Sequence, residues 1–126
     1  MTAATALEPA DAIVAAAARA VYDRARHIAD GQPGHIRKPV EDATWALSDA
    51  LEFYRLIHAG IIHPLSAYQE LRYRCREDQR YAEALRMAAA DAAEEAAELI
   101  KVIAEHIGED AAAMVRGENN NGGTQS

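Results

Sequence analysis

Two histidines five residues apart, His58 and His63, bracket Gly60 in the stretch IHAGIIHPLS, residues 57–66. Paired imidazoles around a glycine can hold a metal or relay a proton. The same residues also suit a corner between helices. Gly60 takes the left-handed position just past a helix end, Ala59 is the C-cap, and Ile61 folds back on Leu56 in a Schellman ending. Pro64 stops the old helix and Ser66, with Gln69 three residues on, caps a new one. His58 then lies in a last turn, where the macrodipole favours a cation. Only His63 is left without a structural task, either exposed or meeting His35 from the other loop. The corner accounts for more of the stretch than a metal or proton site does.

A denser set of candidates lies downstream, in Asp91, Glu94, Glu95, Glu98, Glu105, Glu109 and Asp110. On a helix Glu94 and Glu98 share a face, with Glu95 beside them, and carboxylates so placed can hold Mg²⁺ for phosphate chemistry. The run EEAAE (94–98) resembles the first carboxylate motif of the all-α nucleoside triphosphate pyrophosphohydrolases. That resemblance spans five residues. The family's second Glu-x-x-Asp, on a following antiparallel helix, has no counterpart, because Ile107 stands three residues before Asp110. What the resemblance implies is a Mg²⁺-dependent nucleotide phosphohydrolase or nucleotide-binding bundle, with Glu94, Glu95 and Glu98 on the metal and Arg72 or Arg76 clamping phosphate. The plainer reading is a solvated helix face carrying a Glu98–Lys101 pair worth a few tenths of a kcal/mol.

Arg72, Arg76 and Arg80 recur every four residues in YQELRYRCREDQRYAE, with Tyr68, Tyr73 and Tyr81 interleaved. On one helix they form a basic stripe, and like charges at that spacing need a partner. A phosphate or a nucleic acid would serve. So would the acidic stretch just downstream, on the same chain or on an antiparallel second copy. Cys75 falls on the apolar stripe between Arg74 and Arg76, and reads as a small buried hydrophobe rather than a reactive thiol. Trp45 and Phe53, eight apart, lie at the shoulder of a helix stripe. They either widen the core or anchor a partner, with His35, Arg37 and Lys38 of GHIRKP at the rim. Glu-x-x-His pairs, a nucleophile elbow and a glycine-rich phosphate loop are missing from the sequence.

The elements that must position these groups are helices. Alanine makes up roughly a quarter of the 126 residues, far above average usage. It favours helix while burying little area, so the core is thin and the helices lie close. A first helix opens near Pro9 or Asp11 and carries Ile13, Val14, Ala17, Val21, Ala25 and Ile28 inward, ending at DGQPGH. A second begins near Pro39 and buries Val40, Ala43, Leu47, Ala50 or Leu51, Tyr54 and Ile57. Residues 66–107 contain neither glycine nor proline. They predict one long helix of about 63 Å, or two nearly continuous ones with Asp91 capping the second. Its apolar seam, including Leu85, Ala92, Leu99 and Ile103, has roughly heptad spacing that admits a partner helix.

These readings converge on an all-α, three- to four-helix bundle over residues 1–116 with a disordered polar tail at 117–126. Net charge −7 argues against a general nucleic-acid binder. A single cysteine excludes an intrachain disulfide, and the apolar stretch AIVAAAARAV has neither the basic flank of a signal peptide nor the length of a membrane span. A cytoplasmic setting follows by default. The function expected is that of a small acidic interaction protein, an adaptor, regulator or inhibitor, with no cofactor. It works as a homo-oligomer through the alanine-rich seam and meets a protein partner through Trp45, Phe53, Arg72, Arg76 and Arg80. The Mg²⁺-dependent bundle is the alternative, and a nucleic-acid binder using the arginine stripe is the second alternative.

Overall fold

Alanine decides how the helices meet. The computed structural model describes residues 2–118, and side chains from residue 10 on. The chain forms α1 (Thr2–Ala29), α2 (Gly34–His58), the short α3 (Pro64–Ala67) and α4 (Leu71–Arg74), a 3₁₀ turn (Glu77–Gln79), α5 (Arg80–His106) and α6 (Glu109–Arg116). No strand occurs among the described residues, so the fold is all-α, as composition and periodicity predict. The polar tail expected at 117–126 lies outside the described residues from 119 on.

Ala15, Ala18, Val21, Ala25 and Ala29 form the buried face of α1, while Ala84, Ala88, Ala89, Ala92 and Ala96 are buried on α5. Small side chains on both sides let two helix backbones approach closely. Expectation erred on the first half of α1: Ile13, Val14 and Ala17 are exposed, and Ala15 and Ala18 are buried. The buried face is rotated from the one expected and carries the small residues that a close helix crossing admits. Val40, Leu47 and Ile57 of α2 complete the packing. The larger core cluster joins α1, α2 and the second half of α5, with Ala112 and Val115 of α6 closing one end. A smaller cluster sets Ile57 and Leu71 against Ala84, Leu85 and Ala88 at the other end. These pairings make α2 antiparallel to α1 and α5.

Helix boundaries depart from expectation in three places. First, α1 begins at Thr2 and runs through Pro9, and α2 begins at Gly34 with Pro39 inside it. Residues 35–38, expected as loop, are therefore the first turns of α2, where Arg37 pairs with Glu41 and Lys38 with Asp42. Second, the long helix starts at Arg80 rather than near Ser66. The chain turns extended at Tyr68 (φ −139°, ψ 95°) and again at Cys75 (φ −130°, ψ 142°). Those two bends return Leu65, Tyr68, Leu71 and Cys75 to the smaller cluster, with Leu71 fully buried. Tertiary burial overrides a sequence that contains no helix breaker. Third, α5 continues without interruption through 89–95. Asp91 caps nothing there and accepts a hydrogen bond from the Tyr68 hydroxyl at 2.7 Å.

The corner after α2 forms as its sequence predicts. Gly60 has φ 78°, its N–H donates to Ile57 O at 3.0 Å, and the Ile61 N–H donates to Leu56 O at 2.9 Å. That is the paired bonding of a Schellman ending. His63 rather than Ser66 caps α3, its Nδ1 accepting from the Leu65 N–H at 3.1 Å. The corner between α5 and α6 turns on Gly108, at φ 138° and ψ 168°, a region open essentially to glycine alone.

Candidate functional site

Trp45 is the chain's single tryptophan and is 67% exposed. It stands on α2 beside a cleft of about 170 Å³ against α1, lined by Tyr22, Arg26, Ala29, Asp30, Glu41 and Thr44. The cleft is built by the antiparallel crossing of the two helices. Thr44 is buried and donates its hydroxyl to Val40 O at 2.7 Å, so it offers no spare donor. Tyr22 is flanked by guanidinium groups, Arg19 at 5.5 Å and Arg26 at 5.9 Å from the ring centre, both within cation–π range. Arg19 is further held by Asp23 at 3.4 Å. Arg26, in the last turn of α1, and Asp30, just past its end, have no ion-pair partner among the described residues. Glu41 shares its charge with Arg37 at 3.5 Å. The result is an exposed indole among groups of both signs.

Phe53 does not join that surface. Eight residues of helix turn through two full turns plus about 80°, which carries Phe53 to the smaller cluster. There it is half-buried and meets the Tyr68 ring edge-on, with centroids 5.7 Å apart. Sequence spacing placed the two aromatics near one face, and the structure separates them into a core residue and a surface one.

The basic stripe is dismantled by the bends at 68 and 75. Arg72 lies in α4, exposed and without an ion pair among the described residues. Arg76 stands in extended backbone and reaches Asp78 at 3.8 Å. Arg80, in the first turn of α5, turns back to donate to Cys75 O at 3.3 Å. Arg74 lies 3.8 Å from Glu70 and 3.6 Å from Glu83. Glu83 is also bonded by Arg86, and the Arg86 hydrogen bond is the main cause holding its carboxyl below the ordinary range. Of the four arginines at 72–80, Arg74 and Arg76 have acidic partners and Arg80 is held by a backbone carbonyl. Cys75 is half-buried at the edge of the smaller cluster.

Glu94 and Glu98 are exposed on α5 and Glu95 is half-buried. No group of three His, Cys, Asp or Glu side chains among the described residues is placed to hold a metal ion. Arg72 and Arg76, assigned to clamp phosphate, lie in α4 and in the extended backbone before the 3₁₀ turn, off the helix that carries these glutamates. His35 and His63 are likewise apart, one in the first turn of α2 and one beyond its end. Leu85, Ala92, Leu99 and Ile103 are all buried within this single chain, at 3% exposure or less. Ala92, Leu99 and Ile103 pack in the cluster shared with α1 and α2, and Leu85 in the one with Ile57 and Leu71; sequence periodicity alone does not distinguish an internal partner helix from an external one.

Sequence spacing missed the surface at the end of α6. Arg24 of α1 donates from Nε to Val115 O at 2.7 Å, setting a guanidinium at the C-terminus of that helix. Ninety-one residues separate the two, and no local pattern announces the contact. No family of known proteins, no curated protein and no solved structure matches this chain. No helix among the described residues is long and apolar enough to cross a membrane.

Proposed function

We propose that this chain is a small helical interaction protein, an adaptor or regulator, that self-associates through the α1–α2 face around Trp45. The observation that carries this reading is the exposed indole itself, beside a cleft of mixed charge. Covering two thirds of a tryptophan gives roughly 4 kcal/mol of gross transfer free energy, before the costs of association. Tryptophan with arginine is the composition favoured at interface centres. A two-fold contact needs a patch complementary to itself. Arg26 and Asp30 supply that complementarity, since a two-fold axis near Trp45 sets each arginine against the other copy's aspartate. A cytoplasmic setting belongs to the same proposal and rests on the lone Cys75.

Because Trp45 is the sole indole, its emission reports on this face alone. Raising protein concentration is expected to shift that emission to the blue as sedimentation reports a dimer. Trp45→Ala is expected to remain a monomer with unchanged helix content. A water-exposed emission at every concentration, or a dimer that survives Trp45→Ala, overturns the proposal.

A further inference from the structure

The groove between the end of α1 and α6 differs from the Trp45 face in both shape and charge. It is an open recess of about 630 Å³ in which Ile28, Ile107 and Met114 lie beside Gln32, Glu109 and Asp110. Met114 is 55% exposed there. An adjoining apolar hollow of about 250 Å³ shares Ile28 and Met114, so the methionine stands between two recesses. Its flexible, polarizable side chain suits a surface that must fit an incoming apolar group.

The charged residues that line the groove, Glu109 and Asp110, are both acidic, while Asp23, Arg24 and His27 line the adjoining hollow. Residues 91–110 carry seven carboxylates against Lys101 alone, a net −6 out of −7 for the whole chain. Elsewhere most acidic groups are matched: Asp23, Glu41, Asp42, Glu52, Glu70, Asp78 and Glu83 each have an arginine or lysine within 4 Å. Glu94, Glu95, Glu98, Glu105, Glu109 and Asp110 have none among the described residues. A second copy is a poor source of the missing cations. Of its arginines at 72–80, three are engaged within their own chain, and two acidic ends repel each other.

We infer that this groove docks a basic amphipathic segment of another protein, its apolar side chains on Ile28, Ile107 and Met114 and its lysines or arginines over Glu109 and Asp110. The unpaired carboxylates of α5 steer such a segment toward the groove over about a Debye length. The surface is distinct from the Trp45 face, so the two readings can fail separately.

The test uses the full chain and a labelled synthetic helix of leucine and lysine in amphipathic register. A scrambled isomer of the same composition and a second copy of the protein serve as comparisons. The amphipathic peptide is expected to bind with an affinity that falls as salt rises. Met114→Gln, at an exposed position, is expected to weaken binding about tenfold, and Glu109→Gln with Asp110→Asn is expected to reduce the salt dependence. Trp45→Ala is expected to leave peptide binding unchanged. Three results overturn the inference: no binding at low salt, equal binding of the scrambled peptide with no effect of Met114→Gln, or self-association that Met114→Gln abolishes.

Discussion

Tyr68 holds the segment between α2 and α5 against the bundle through one phenol, whose hydroxyl donates to Asp91 Oδ2 at 2.7 Å. Burial, and then the Asp91 carboxylate, push its ionisation well above the ordinary value of 10.0. The neutral phenol is the form the fold accepts. Unfolded chains lose that proton near pH 10 while the folded chain keeps it, so the contribution is complete below pH 10 and diminishes as pH rises beyond it. Tyr68→Phe is expected to cost about 1 kcal/mol at neutral pH, the net worth of a partly exposed hydrogen bond. Denaturant unfolding at neutral pH and above pH 10 is expected to show the gap between wild type and variant shrinking as pH rises. A constant gap means that the phenol is not held neutral by the fold. Nothing near Tyr68 in the sequence reveals this bond, since Asp91 is twenty-three positions away. The Gly60 corner was legible because its chemistry is local, a left-handed glycine followed by proline. Even there the capping went to His63 through an imidazole nitrogen, a role that N-cap preferences for serine assign to Ser66.

At the scale of elements, periodicity found the faces of α2 and α5 because both bury continuous stripes against two neighbours. It failed where a short segment is shaped by what it packs against. Residues 64–79 have the composition of helix, yet bend twice to bury Leu71, and the arginine stripe vanishes with the helix that was to carry it. The terminal helix α6 is the opposite case. Eight residues are too few to hold a helix in water alone, and α6 persists by burying Ala112 and Val115 and by the cap from Arg24. Gly117, at φ 86°, closes the same end, where an added Cβ would lie 3.2 Å from Arg24 Nη2. Arg24→Met keeps the aliphatic stem and removes both the donor and the charge at the helix C-terminus. It is expected to destabilise α6 by about 1–2 kcal/mol. Amide hydrogen exchange is the discriminating measurement: protection over 109–116 should fall roughly tenfold or more, while the centre of α5 keeps its own. Uniform loss across both helices means that Arg24 supports the whole bundle, not its last element.

For the whole molecule, the unequal distribution of charge sets up a tension within one helix. Salt bridges on α1 and α2 are exposed pairs three or four residues apart, each worth little. Residues 91–110 hold a net −6, and Glu94 and Glu98 face each other at a spacing where like charges destabilise a helix by a few tenths of a kcal/mol. The fold tolerates this because Leu99 and Ile103, on the opposite side of the same helix, are fully buried, and burial of one such side chain outweighs several such repulsions. An acidic composition was plain from the sequence; its concentration at one end acquired meaning only when the pairing of the remaining charges was known. Glu94→Gln with Glu98→Gln relieves the repulsion with little change in helix propensity. At low ionic strength the double variant is expected to melt about 2 °C above wild type. That difference should shrink toward zero by about 0.5 M salt, where screening acts within a few ångströms. Circular dichroism melts of both proteins across a salt series give the comparison. A double variant that melts below wild type at low salt would mean that these carboxylates have cationic partners, and that the acidic end is already satisfied within the fold.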